Sequence, residues 1–474
     1  MVIKNTPFPQ IEVGFKKAFR VLLSESMVRN YAMLSRDCNP THLDTEFAME
    51  QGLEKATAHR MLIPSLLSGF FGNEFPGPGT QWMSQTLNFH EPAYVGDNVT
   101  FDIEVTETSE NEDGKSGIAT VRVIVTTEGG KLVASGLERL LVPTEEISVT
   151  MDQMPMLYVN DRELLLKRLL ARATLKEPAT MAVAWPMNKE SLEGAVEVHD
   201  AGLVIPVLFG PENDIRKLAE KNGIDLGFIR IVNCEYEDEA CEHAAKAVGA
   251  GEIEILMKGS PHTDNFLKAI LNRENRLRSR SSGTLSHVFY IDGIPPRPGD
   301  RGPRSIVVTD GALIPKPDLV KKAGMIQNAI DFFHAMGMPK PKVAVLAAVE
   351  VVNPEMQATI DAACLKVMAE RGQIKGGIVD GPLAFDVAMN PDAVKAKGIV
   401  SEVAGRADVL VGDTLETSNV MAKEFEQAKC LLAGVLIGAN CPVVLTSRTD
   451  DKLNRLASVA IAVILLKHKR ENAH

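Results

Sequence analysis

The chain runs to 474 residues, 45% hydrophobic and 24% charged, an ordinary globular composition that at roughly 150 residues per domain allows about three domains. Lys plus Arg number 51 against 62 Asp plus Glu, a net charge of −11. That balance argues against a nucleic-acid or anionic-membrane surface, because polyanions are not drawn to a net acid, although a local basic pocket for a phosphate-bearing ligand remains open. Aromatic residues, at 5%, are too few for a base-stacking platform.

The opening MVIKNTPFPQ lacks the basic-then-apolar pattern of a signal peptide. Cys38, Cys234, Cys241, Cys364, Cys430 and Cys441 are scattered without a Cys-x-x-Cys pair, so neither a zinc nor a disulfide framework is expected. The apolar run Leu456–Leu466 is too short to cross a bilayer and reads as a buried helix. A cytoplasmic enzyme with no membrane or nucleic-acid partner is the expectation.

In chain order, the first chemistry lies in Tyr31–Ala48, YAMLSRDCNPTHLDTEFA. Asn39-Pro40 breaks the preceding helix and sets Asp37 and His42 on either side of one tight turn. A carboxylate that orients an imidazole can hold and deprotonate a water. Spacing alone favours the plainer reading, an Asp that caps the turn with His42 hydrogen-bonded to it. Met61–Phe71 has helical length and no alternation. From about residue 85 to 143, alternating Val, Thr, Ile and Phe between Gly-containing turns spell antiparallel ribbons. One buried helix wrapped by a bent antiparallel sheet, an α+β unit over residues 1–145, is predicted.

Residues 146–165 read as a linker that packs. Beyond them, over 166–474, runs such as IEILMKG, RSIVVTDGA, KVAVLAAVEV, GGIVDGP, ADVLVGD and CPVVLTSR alternate with helix-length segments. Near-continuous apolar strands are those of a parallel α/β sheet covered on both faces. Lys258, Asp310, Glu350, Asp380, Asp413, and Ser447 with Arg448 end these runs, and a parallel sheet would collect them along one edge where ligands bind. Plain exits into polar loops account for about half of them. No Walker A, Gly-x-Gly-x-x-Gly or His-Glu-x-x-His pattern is present, and no metal ligand set is evident.

Three places in this second region suit anions. A Lys258-Gly259-Ser260 loop leads into a helix opened by Thr263 or Asp264 and carrying Lys268 one turn in. Arg273, Arg276, Arg278 and Arg280 form a basic run that is a phosphate contact or, equally, a solvated helix face. Ser447, Arg448 and Asp450 follow a buried strand. Without a Gly-x-Ser-x-Gly elbow the serine is no nucleophile, and the arginine beside a carboxylate reads as an oxyanion stabiliser beside a base, or as a surface ion pair.

Two resemblances sharpen these readings. SRDCNPTHLDTEFA, AHRMLIPSLLSGFFGNEFPGPGT and SQTLNFHEPAYVGDNVTFDIEV resemble the MaoC-like (R)-specific enoyl-CoA hydratases over about 120 residues. The resemblance implies a hotdog fold acting on acyl thioesters, with Asp37 and His42 as the water-activating pair, Asn39 in the same turn and Ser68 supporting the dyad. Where the family has His-Gly-Met this chain has His59-Arg60-Met61. Arg60 keeps the backbone N–H that polarises the thioester carbonyl but places bulk and charge at the acyl tunnel or near a CoA phosphate. His59 reads as a helix-start residue.

The blocks MKGSPHTDNFLKAIL, GTLSHVF, EVVNPEMQATIDAACL, RGQIKGGIVDGPLAFDVA, SEVAGRADVLV, ETSNVMAKEF and PVVLTSRTD resemble the phosphate acetyl/butyryltransferases, nearer the butyryl branch. This implies two α/β subdomains with an isopropylmalate-dehydrogenase-like core and a homo-oligomer, a dimer or larger. The substrates would be CoA thioesters and phosphate, with no tightly bound cofactor. Ser447 and Arg448 match the family's Ser-Arg pair. Asp450 is the expected base, since the acetyl branch's Asp position is Asn454 here, and Lys268 replaces a phosphate-binding Arg. Lys258, Ser260, Thr263 and Asp380 are the expected substrate contacts. The sequence therefore reads as an enoyl-CoA hydratase joined to a phosphate acyltransferase, or as the transferase with a non-catalytic CoA-binding or oligomerising hotdog. A dehydrogenase reading of the second half rests only on the shared core fold.

Overall fold

The computed structural model describes residues 2–111, 114–150, 161–227, 229–278, 283–297, 302–446 and 450–472. The chain divides into two compact units, Met1–Asp161 and Arg162–His474.

In the first unit, short strands β1 (Val2–Lys4) and β7 (Ser148–Thr150) pair antiparallel. The main sheet contains β2 (Lys16–Leu22), β3 (Gln81–Phe89), β4 (Asn98–Glu110), β5 (Ser116–Thr127) and β6 (Leu132–Pro143), in the order β2-β4-β5-β6-β3 and antiparallel throughout. Val99, Phe101, Ile103 and Val105 alternate inward on β4, as do Ala119, Val121, Val123 and Val125 on β5. That period of two gives the sheet one apolar face. The helix Leu62–Asn73 fills this face with Leu62, Ile63, Leu67, Phe70 and Phe71, which form one cluster with those strands. This is the hotdog. The expected linker is shorter than residues 146–165, because β7 pairs back onto β1 and a helix already begins at Arg162.

Glu138 on β6 is fully buried and accepts a hydrogen bond from Trp82 Nε1 at 2.8 Å. Burial pushes its carboxyl up to about 7. In the unfolded chain this group titrates near ~4.3, so between about pH 4.5 and 7 the folded state holds more protons. Stability therefore falls as pH rises through that window. Unfolding of a Glu138→Gln variant, followed from pH 5 to 8, is expected to show a flatter decline than the parent. Parallel declines would remove Glu138 as the source.

The second unit is built on one eleven-stranded sheet. Its strands are β8 (Ala179–Ala184), β9 (Val204–Gly210), β10 (Arg230–Asn233), β11 (Ile255–Lys258), β12 (Ser286–Ile294), β13 (Arg304–Thr309), β14 (Lys342–Leu346), β15 (Ile378–Leu383), β16 (Val409–Val411), β17 (Leu431–Ile437) and β18 (Val443–Val444). The order is β10-β9-β8-β11-β18-β17-β12-β13-β16-β14-β15. Helix Lys452–Glu471 buries Leu456 through Ile464 and Leu466 against one face, the apolar helix expected there. Separate clusters on the other face cover the two lateral portions, one around Phe266 and Cys241, the other around Phe289 and Leu410. Among the described residues no helix is long and apolar enough to cross a membrane.

The expectation of one catalytic edge is overturned by strand polarity. β10, β9, β8, β11 and β18 are mutually parallel, as are β13, β16, β14 and β15. Between these sets, β12 and β17 run antiparallel to each other and to their outer neighbours β13 and β18. Three successive antiparallel pairings reverse one set relative to the other. Lys258 thus ends its strand at one edge of the sheet, whereas Asp310, Glu350 and Asp413 follow theirs at the opposite edge. Strand direction is a non-local property, invisible in runs that are equally apolar either way.

Candidate functional sites

In the first unit, Ser24 caps helix Glu25–Ser35, and Arg36 ends it in the left-handed conformation at φ 61°. The chain turns through Asp37 to Asn39, whose side chain accepts from Thr41 N and starts the short helix Pro40–Leu43. His42 lies in that helix. Its Nδ1 sits 2.9 Å from the Thr57 carbonyl oxygen and 3.0 Å from Thr57 Oγ1. A carbonyl only accepts, so Nδ1 carries a proton, and in the neutral imidazole Nε2 holds the lone pair. That lone pair faces Asp37 Oδ2 at 4.0 Å. The gap is too long for a direct hydrogen bond and suits one bridging water.

His59, expected as a helix-start residue, is instead part of this site. It is 2% exposed, its Nε2 donates to the Asp37 carbonyl at 2.8 Å, and its ring packs against that of His42, tilted by 30° with centroids 3.9 Å apart. Burial lowers its pKa, which keeps it neutral beside His42 at neutral pH. Sequence reading missed Thr57 and His59 because both act through contacts with residues 15 and 22 positions earlier. Asp37, His42, Thr57, His59 and Arg60 line a cavity of about 520 Å³. Arg60 turns its guanidinium over the Phe89 ring at 5.7 Å, toward β3. Ser68 is exposed on its helix and does not line this cavity, so the chain does not bring it to the dyad. Asp37, His42 and His59 place potential donor atoms within 4.8 Å of one another and are the described residues that could hold a metal ion.

In the second unit, Lys258 is buried at the end of β11. Gly259 follows because a Cβ there would stand 2.5 Å from the Ala184 carbonyl oxygen. Ser260 Oγ donates to the Trp185 carbonyl at 2.8 Å and accepts from Met187 N at 2.9 Å, stitching the loops after β11 and β8 together. Thr263 opens helix Thr263–Leu271 and is exposed, as is Lys268. Five residues at 100° each place these two about 140° apart around the axis, so a single phosphate is not gripped by both from that helix.

Asp450 is 8% exposed, and its carbonyl accepts from Arg455 Nη1 at 2.8 Å. It immediately precedes Asp451, the N-cap of helix Lys452–Glu471. Asn454 is buried and held on both sides: its amide oxygen accepts from Leu432 N at 3.0 Å and Arg162 Nη2 at 2.8 Å, and its amide nitrogen donates to Glu426 at 3.0 Å. Its place is structural, and of the two carboxylates just before this helix, Asp450 and Asp451, Asp451 is held by Arg162 at 2.7 Å. Ser447 and Arg448 lie outside the described residues, as does Arg280. Asp380 does not join this group. It pairs with Lys366 at 2.8 Å, accepts from Ser401 Oγ, and belongs to β15 in the oppositely directed set of strands.

The two units define a multidomain protein in which a hotdog precedes a phosphotransacylase fold. Residues 7–127 match the model of the MaoC-like domain, and residues 237–463 match that of the phosphate acetyl/butaryl transferase family. Over 304 residues the chain is 41% identical to a phosphate acetyltransferase of Rhizobium meliloti, covering 64% of this chain and 94% of that one. It is 36% identical over 302 residues to a phosphate butyryltransferase of Clostridium acetobutylicum, covering 64% and 98%. Among solved structures it is similar to a branched-chain phosphotransacylase from Enterococcus faecalis V583, at 25% identity and a TM-score of 0.53, over 61% of this chain and 99% of that one. The chain belongs to the phosphate acetyl/butyryltransferase family and carries a MaoC-like domain ahead of the transferase.

Proposed function

We propose that this chain is a bifunctional enzyme that hydrates a trans-2-enoyl-CoA in its first unit and exchanges an acyl-CoA with phosphate in its second. The observation that carries the first activity is the His42 Nε2 lone pair facing Asp37 across 4.0 Å, with Thr57 holding the other ring nitrogen. A water between them loses a proton to His42 as its oxygen bonds to C3 of the enoyl group, and His42 returns that proton to C2. Asn39 fixes the turn, and the backbone N–H of Arg60 polarises the thioester carbonyl. A purely scaffolding hotdog has no use for an imidazole whose bare nitrogen is aimed at a carboxylate.

In the second unit, a phosphate oxygen, giving up its proton to the base, attacks the thioester carbonyl; the tetrahedral intermediate collapses with cleavage of the C–S bond, and the CoA sulfur leaves as the thiol with that proton. Asp450 is the proposed base, Ser447 and Arg448 stabilise the oxyanion, and Lys258, Lys268, Ser260 and Thr263 contribute to anion binding. Assembly as a homo-oligomer belongs to the same reading. The edge strand β3 pairs only with β6 among the described residues and leaves Met83, Ser84, Gln85 and Thr86 exposed for a second copy.

The test uses one preparation of the intact protein. Loss of enoyl-thioester absorbance from crotonyl-CoA without phosphate, and phosphate-dependent release of CoA from butyryl-CoA, are both expected. Transferase activity with no hydration of crotonyl or longer enoyl-CoAs would reduce the hotdog to a scaffold.

A further inference from the structure

The basic run singled out in the sequence has a place away from Lys258 and Asp450. Arg273, Arg276 and Arg278 line a cavity of about 790 Å³ together with Lys469, Asn440 and Cys441. Asn440 shapes one wall, its side-chain amide donating to the carbonyls of Arg276 at 2.9 Å and Arg278 at 3.0 Å. Among the described residues no carboxylate lines this cavity.

Three helices end near it, at Gly249, Leu271 and Glu471. Each C-terminus is equivalent to about −0.5 charge, so together they offset less than half of four cations. The remaining positive potential sits in a protein whose net charge is −11. Guanidinium forks match phosphate oxygens in pairs, and the volume is that of a small-molecule site.

The position is remote from Lys258 and Asp450. Gly249–Gly251 precede β11, which ends at Lys258, and Asn440 and Cys441 precede β18, which leads toward Asp450. Lys469 lies 18 residues along the helix capped by Asp451, about 27 Å at 1.5 Å per residue. We propose that this cavity is a second anion site, distinct from the transferase centre, that binds a multiply phosphorylated small molecule: a nucleoside triphosphate or the phosphorylated adenosine diphosphate end of a CoA.

Calorimetric titration of the intact protein with inorganic tripolyphosphate tests it. Arg273→Gln combined with Arg278→Gln is expected to weaken binding at least tenfold while leaving turnover and the phosphate KM of acyl transfer within twofold. Lys469→Gln, at an exposed helix end, gives a smaller loss and serves if the double variant does not fold. Binding unchanged in both variants overturns the proposal. A matching rise in phosphate KM also overturns it, since the cavity would then belong to the transferase centre. Separate titrations with ATP and CoA, repeated on the variants, identify the source: tighter ATP binding lost in the variants marks a nucleoside triphosphate, and the reverse order marks the CoA tail.

Discussion

An Asp37→Asn variant is expected to lose enoyl-CoA hydration by about 10²–10⁴-fold, the range a positioned acid or base contributes, while phosphate-dependent acyl transfer stays unchanged. The substitution keeps the side chain's size and its ability to accept from Asn39 N, a contact of 3.3 Å in the parent. The turn therefore persists and only the carboxylate charge facing His42 is removed. Asp37 is half exposed in its ion-pair geometry with His42, so a large stability change is not part of the expectation. The internal control is the second activity of the same polypeptide. Equal loss of both activities would point to misfolding, and hydration at the parental rate would end the assignment of Asp37.

The second large effect is on stability and concerns a group outside both proposed centres. Lys322, on helix Leu319–Ala335, has its side chain 4% exposed, and its ammonium donates to Asp361 at 2.7 Å and Asp413 at 2.6 Å. Burial by itself would lower its pKa, but the hydrogen bonds it donates to both carboxylates, with their charges, outweigh this and raise it. Removing one partner of a buried ion pair strands the other charge, which destabilises by about 3–5 kcal/mol. Lys322→Met is expected to lower the unfolding free energy of the transferase unit by that amount, read as a lower denaturant midpoint at unchanged m. Most of the loss should return in Lys322→Met/Asp361→Leu, because Asp413 is 41% exposed on its side chain and reaches water. A single-variant loss under about 1 kcal/mol would show that the pair is solvated in solution. Because the folded pKa is raised, this contribution is present below the unfolded lysine pKa, near ~10.4, and is lost only as pH rises beyond it.

These two cases mark how far the chain's text could be read. The Asp37–His42 turn was legible because Asn39-Pro40 fixes it locally: a helix stop, a side-chain cap and a helix restart within a few residues need no distant partner. The hotdog was legible for a similar reason, since the period-two alternation of β4 and β5 and the length of one apolar helix define the layers directly. The buried helix Lys452–Glu471 and the α/β character of the second unit followed from runs too apolar to face water.

The tertiary structure alone decided the rest. His59 looked like a helix start until its contacts with the Asp37 carbonyl and the His42 ring placed it beneath the dyad. Asn454, aligned with a catalytic position, proved to be a buried bracket between Leu432 and Arg162. Lys322 meets Asp361 and Asp413 across 39 and 91 residues of sequence. Strand polarity separated Lys258 from Asp310 and Asp413, and it set the basic run at the far end of β11 from Lys258. Periodicity and local turn chemistry report which face of an element is apolar. They carry no information about the direction in which a buried strand runs, or about which charges from remote helices meet in the space left between them.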